Sequence, residues 1–218
     1  MTGVLPFKTD RDVDEARPMV EAHLEANGIL AYPTETVYGL GCLAIVDAVE
    51  HLIAFKQRRP DKPFLLLISG RRMAEDLGLQ FPEYASALAQ AFWPGPLTLV
   101  LPGGEGKLPD NLRGAEGGIA VRWTSHTGMA RLIDQLGVPV TSTSANRPGA
   151  PPAPGVGGVL QDFGDAVESG ELLVLDGGVL GNVPSSTVID CTGVRPRLIR
   201  RGAIPMAELH ARVGSFAP

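Results

Sequence analysis

Short apolar runs alternate along this chain with stretches whose apolar positions recur every three or four residues, and glycine or proline separates most of them. That alternation constrains the fold more than any single motif, because strands and the helices connecting them must then share one core, as in an α/β domain. Val13, Ala16, Val20 and Leu24 fall on one helical face, and Asn27-Gly28 forms a natural stop before a strand over 29–32. Asp47 is placed to cap a second helix through Lys56. The run 64–68 is continuously apolar, the pattern of a strand buried on both faces. Further strands are predicted over 97–101, 119–123, 138–141, 172–175, 187–190 and 197–200, with helices over 82–92, 128–136 and 205–213. Pro- and Gly-rich stretches at 102–118 and 147–158 predict loops, the second a mobile flap. With 218 residues, no internal repeat and no long polar linker, the chain reads as one domain, 1–218.

Composition removes several function classes. The longest apolar runs are far too short to span a bilayer, and residues 1–10 carry no cationic start or apolar leader, so no membrane role is expected and the location expected is cytoplasmic. Two cysteines, Cys42 and Cys191, and four scattered histidines do not make a disulfide framework or a zinc site. A net charge of −5 argues against a general nucleic-acid binder, so any anion site must be a local cluster of cations.

Four segments put polar groups at the ends of predicted elements, where open α/β sheets bind ligands. In the first, Thr34, Glu35, Thr36, Gly39 and Gly41 follow a buried strand, which suits either a small polar ligand or a capped tight turn. The stretch 39–44 also mimics a dinucleotide fingerprint, but it starts late and lacks the acidic partner. In the second, Lys56, Arg58, Arg59 and Lys62 put four cations within seven residues. Such density exceeds what helix capping needs and suits a polyphosphate. In the third, Thr141, Ser142, Thr143, Ser144 and Asn146 offer neutral donors and acceptors, or else a turn that satisfies its own backbone. The fourth, Ser185, Ser186 and Thr187 with Arg200 and Arg201, is ordinary by itself. Arg122, at a strand end, is either a carboxylate clamp or a surface charge. The 93–96 stretch Trp-Pro-Gly-Pro reads as a rigid packed turn. Residues 103–108 lack the spacing and the hydroxyl of a phosphate-binding Walker A loop.

Taken in order, 32–41, 56–63, 92–99, 121–122, 144–146, 186–188 and 200–204 resemble the YrdC/TsaC family over nearly the whole chain, with its Lys-x-Arg and Ser-x-Asn signatures at Lys56/Arg58 and Ser144/Asn146. The resemblance implies a twisted, mixed sheet with flanking helices around a deep, positively charged cavity, similar to the dihydroxybutanone-phosphate synthase fold. It implies condensation of L-threonine, bicarbonate and ATP into threonylcarbamoyl-adenylate and pyrophosphate, in the service of tRNA modification through downstream threonylcarbamoyl transferase proteins. By the same resemblance Thr34, Arg122 and Ser186 hold threonine. Lys56, Arg58 and Lys62 face the phosphates, the first two being the catalytic pair. Ser142, Ser144, Asn146 and Arg200 complete the nucleotide site, and Mg2+ arrives with ATP.

Arg59, Leu67, Pro152 and Arg201 depart from the family pattern, and the chain resembles its short form, without a further C-terminal domain. Two other readings share the cationic cavity: an RNA-binding module, and a relative that forms a carbamoyl-adenylate.

Overall fold

A computed structural model of the protein describes residues 3–59, 62–181 and 183–217. Among these residues ten strands form one mixed sheet. In chain order the elements are β1 (Val4–Pro6), α1 (Asp10–Glu25), β2 (Ile29–Tyr32), β3 (Gly39–Gly41), α2 (Val46–Phe55), β4 (Leu65–Leu67), α3 (Arg71–Asp76), α4 (Glu83–Phe92) and β5 (Leu97–Leu101). They continue with β6 (Ile119–Arg122), α5 (Thr127–Leu136), β7 (Val140–Ser144), α6 (Val156–Glu168), β8 (Leu172–Asp176), β9 (Thr187–Asp190), β10 (Arg197–Arg200) and α7 (Met206–Val213). The strand order is β1-β8-β2-β3-β7-β4-β6-β5-β9-β10. Pairs β1/β8, β2/β8, β4/β6 and β5/β9 are parallel and the remaining neighbours antiparallel.

The sheet has a core on each face. In β2, Leu30 and Tyr32 point to the side where α1 and α5 bury Val13, Val20, Leu24, Met129 and Ile133. Ile29 and Ala31 point to the other side, into the core that also holds Leu52 of α2 and Leu88 of α4. Strict alternation in a strand apolar at every position therefore requires cover on both faces, as expected for a sheet centre.

Several sequence-based boundaries move. The strand predicted over 138–141 is β7, displaced so that it includes Ser142, Thr143 and Ser144. Their backbones are committed to ladders with β3 and β4, at Gly39↔Ser144, Leu40↔Thr143 and Leu65↔Ser142. A central position in the sheet outweighs the turn preference of a Ser/Thr-rich run. Gly39 and Gly41 form β3, and Gly39 also lines a cavity, so strand pairing and ligand approach coexist there. A Cβ on Gly41 would lie 1.8 Å from the Thr141 carbonyl oxygen, so the glycine serves close strand contact over the Tyr32 ring. Residues 156–158, assigned to the loop, begin α6. That helix was hidden by Gly157 and Gly158 in its first turn, although Val159 and Phe163 are buried at helical spacing. The short elements β1 and α3 were not expected either. Asp47 is not the cap of α2: Ile45 occupies that position, and Asp47 sits in the first turn, where its charge suits the helix dipole. The 93–96 turn is packed as expected, with Trp93 Nε1 donating to Leu97 O at 2.7 Å. Cys42 and Cys191 are buried and unpaired.

His51 of α2 joins the end of α1 to the start of β8. Its two ring nitrogens face acceptors only, Asn27 O at 2.9 Å and Glu171 Oε1 at 2.8 Å. Burial opposes the imidazolium, but the Asn27 carbonyl and the Glu171 carboxylate outweigh it and raise the pKa above 6.5. A raised histidine pKa means stabilisation that is complete below 6.5 and lost as pH rises through the folded-state value. His51→Gln is therefore expected to lower Tm measurably at pH 5.5 and by less at pH 8.5, a difference that thermal melts of both proteins at the two pH values will read.

Candidate active site

One cavity of about 710 Å³ opens over β4, β5, β6, β7, β9 and β10. Arg58, Lys62, Arg122, Arg197 and Arg200 line it, against two carboxylates, Glu116 and Asp190. Both carboxylates pair with Arg197, at 3.0 and 2.9 Å, so the remaining cations give the cavity its sign.

At one corner Arg122, 5% exposed at the end of β6, forms an ion pair with Glu35 at 2.7 Å and donates to Thr36 Oγ1 at 3.1 Å. Thr124 Oγ1 also donates to Glu35. Burial alone would raise the Glu35 carboxyl, yet the Arg122 charge and the hydrogen bonds from Arg122 and Thr124 hold it below its ordinary value. An ionised Glu35 therefore orients the guanidinium from behind. The Thr34 hydroxyl donates to Val37 O at 2.7 Å and accepts from the backbone of Thr36 and Val37, so it shapes the loop while lining the cavity.

Facing this corner, Ser186 precedes β9. Its hydroxyl bonds Thr98 Oγ1 at 2.8 Å, and Arg200 donates to its Oγ at 3.1 Å and its carbonyl at 2.9 Å. Gly202 permits this arrangement, because a Cβ there would meet Ser185 O at 2.3 Å. Burial, and then repulsion from Arg122, lower the Arg200 pKa. Both guanidiniums line the same cavity.

The cation-rich segment forms the opposite wall. Arg58 lies over the Phe64 ring at 4.8 Å, donates to Thr143 Oγ1 at 3.0 Å and to Pro63 O at 3.0 Å, and has its pKa lowered by burial. Lys62 reaches the cavity beside it; Pro60 and Asp61 lie outside the described residues. Ser142 and Ser144 of β7 line the floor. Lys56 and Asn146 are not part of the lining: the Lys56 ammonium is turned to the turn that follows β7, bonding Ser144 O at 3.0 Å and Asn146 O. Thus eight of the ten predicted site residues line one cavity and two stand behind it.

Sequence reading missed the roles of Glu35, Thr98, Thr124, Glu116, Asp190 and Arg197. A glutamate between two threonines after a strand was a usable signal for Glu35; the others gain meaning only from strand neighbours. Leu67, one of the departures, is fully buried opposite Val140 in the core under α1 and α5, away from the cavity, whereas Pro152 lines it.

A mixed ten-stranded sheet with a cavity of converging guanidiniums, an ammonium and hydroxyls defines an α/β protein built to face an anion. The sequence model of the Sua5/YciO/YrdC family, described as telomere recombination, matches residues 22–202. The chain belongs to that family. Threonylcarbamoyl-AMP synthase of Pyrococcus abyssi is 38% identical over 86% of this chain and 54% of its own length. The enzyme of that name from Bacillus subtilis is 35% identical over 88% of this chain and 55% of its own. The chain thus spans about half the length of these relatives. Among solved structures, P. abyssi Sua5 complexed with L-threonine superposes with a TM-score of 0.86 at 33% identity, over 98% of this chain and 61% of the other. No helix among the described residues is long and apolar enough to cross a membrane.

Proposed function

We propose that the protein condenses L-threonine, bicarbonate and ATP into threonylcarbamoyl-adenylate, releasing pyrophosphate. The observation that carries this reading is that one cavity holds both a buried carboxylate-type clamp, Arg122 braced by Glu35 and Thr36, and a separate cationic wall of Arg58 and Lys62. The names of the relatives and the threonine complex of Sua5 support the same assignment.

In this reading Arg122 holds the threonine carboxylate, with Ser186 and the Thr34 loop beside it. The threonine amine attacks bicarbonate, losing a proton and eliminating water, to give the carbamate. A carbamate oxygen then attacks the α-phosphorus of ATP as the bond to the bridging α,β-oxygen breaks and pyrophosphate leaves. Negative charge moves toward the departing phosphates, so Arg58 and Lys62 stabilise that change most, by fixed charge and in-line positioning rather than a covalent intermediate. Ser142, Ser144 and Arg200 complete the nucleotide contacts. Among the described residues no three His, Cys, Asp or Glu side chains cluster as metal ligands. In this reading magnesium enters on the triphosphate as part of the substrate. The product is a mixed anhydride prone to hydrolysis, which calls for a transferase that passes the threonylcarbamoyl group to tRNA.

Purified protein should release pyrophosphate only when ATP, threonine and bicarbonate are all present. Turnover with carbamoyl phosphate in place of threonine would identify the carbamoyl-adenylate relative instead, and salt-sensitive RNA binding without turnover the binding module. The RNA reading is disfavoured because the clustered cations face a cavity rather than an exposed stripe, with Trp93 packed in the core.

A further inference from the structure

We propose that Lys56 is a positioning residue: its ammonium latches the Ser144–Asn146 turn from behind and thereby fixes Ser144 as a hydrogen-bond acceptor toward a sugar hydroxyl, without touching the phosphates. This rests on the nucleotide reading of the cavity.

Lys56 is 6% exposed, and its ammonium has three N–H donors. Three oxygens of the turn face it: Ser144 O at 3.0 Å, Asn146 O, and Asn146 Oδ1 at 3.4 Å. No donor is left for a phosphate oxygen. The Asn146 amide is oriented by its other end, where Nδ2 donates to Arg147 O at 3.0 Å and Ala150 O at 2.6 Å. Oδ1 can only accept, so the 2.6 Å contact between Ser144 Oγ and Asn146 Oδ1 has Ser144 as donor. With its one proton committed, Ser144 Oγ presents lone pairs to the cavity it lines. Lone pairs repel a phosphate oxygen and accept from a ribose hydroxyl. The latch also anchors the start of the segment 147–155, whose Pro152 reaches the cavity. Burial, and then the Arg58 charge, push Lys56 down to about 8 against the opposing carboxylate of Asp162 on α6, so the latch weakens as pH rises through that value.

The test compares Lys56→Met with Arg58→Met, using inorganic pyrophosphate binding by calorimetry and turnover with ATP, 2′-deoxy-ATP and 3′-deoxy-ATP. The expected result is that Arg58→Met weakens pyrophosphate at least tenfold. Lys56→Met should stay within about threefold, lose kcat tenfold or more, and no longer favour ATP over the deoxy analogue that wild type rejects. The alkaline fall in wild-type kcat near pH 8 should be absent from Lys56→Met. Equal loss of pyrophosphate affinity in both variants would overturn the latch. So would unchanged discrimination in Lys56→Met. Wild type that binds no pyrophosphate would remove the nucleotide reading itself, and the latch with it. Should Lys56→Met not fold, Asn146→Ala removes the Oδ1 acceptor that commits the Ser144 proton, while leaving the two backbone carbonyls that Lys56 bonds. It must keep pyrophosphate affinity while losing the sugar discrimination; loss of pyrophosphate affinity there also overturns the proposal.

Discussion

Arg122→Ala is expected to lower kcat/KM for threonine by about 10²–10³-fold, the scale of losing a charge-assisted, two-pronged carboxylate contact in a dry site. The same substitution should destabilise the fold. It leaves Glu35, 18% exposed, as a carboxylate held by Thr124 but without its cation. Breaking a buried pair from one side costs about 3–5 kcal/mol, with the lower end apt for a partly exposed partner. The pH dependence has a defined sign. Arg122 helps hold the Glu35 pKa below 4.5, so the stabilisation is present above that value and lost as pH falls through the folded-state pKa. The Tm difference between wild type and Arg122→Ala should therefore be large at pH 7 and shrink below pH 4. Adding Glu35→Gln to Arg122→Ala should recover much of the Tm and none of the turnover. Threonine kinetics unchanged in Arg122→Ala would remove this residue from the substrate site.

Arg58→Ala should produce the opposite combination: turnover down about 10²–10³-fold and a Tm close to wild type. Its guanidinium is fixed by Thr143 Oγ1, Pro63 O and the Phe64 ring, contacts worth about 1–2 kcal/mol each that the cost of burying the cation largely offsets. Its contribution to catalysis grows as charge leaves the α-phosphorus with the pyrophosphate, so kcat should fall more than the KM for ATP rises. Arg58→Lys should recover little. A single ammonium cannot reproduce a planar fork that bonds the Thr143 hydroxyl and the Pro63 carbonyl while stacking on an aromatic ring. Stopped assays of pyrophosphate release against ATP and threonine concentration separate the two variants. Arg58→Ala with wild-type kcat would show that this wall of the cavity does not face the reacting phosphates.

Together these expected outcomes would divide the cavity into the proposed carboxylate corner and phosphate wall. Strand order creates the division. Parallel pairing of β4 with β6, and antiparallel pairing of β4 with β7, put the end of β6 and the Ser/Thr-rich β7 on either side of one strand. Arg122 and Ser142 are 20 residues apart in sequence and yet flank the same floor. The pairing of β5 with β9 likewise brings Thr98 under Ser186.

Sequence by itself determined the α/β class, most strands, the helices α1, α2, α4, α5 and α7, and the residue types of the site. Those follow from local periodicity, punctuation by glycine and proline, and an improbable density of cations at 56–62. It also determined the family resemblance, because the motifs occur in order. Only the tertiary structure decided that Ser142 to Ser144 form a central strand rather than a turn. The same holds for Gly41 of β3, which makes room for the Thr141 carbonyl, and for Lys56, which turns away from the cavity while Arg58 enters it. The reason is common to all of these. Each outcome depends on which backbone or oxygen atoms from distant segments surround the group, and hydrogen-bond satisfaction in a buried sheet overrides the preference a residue shows among its chain neighbours.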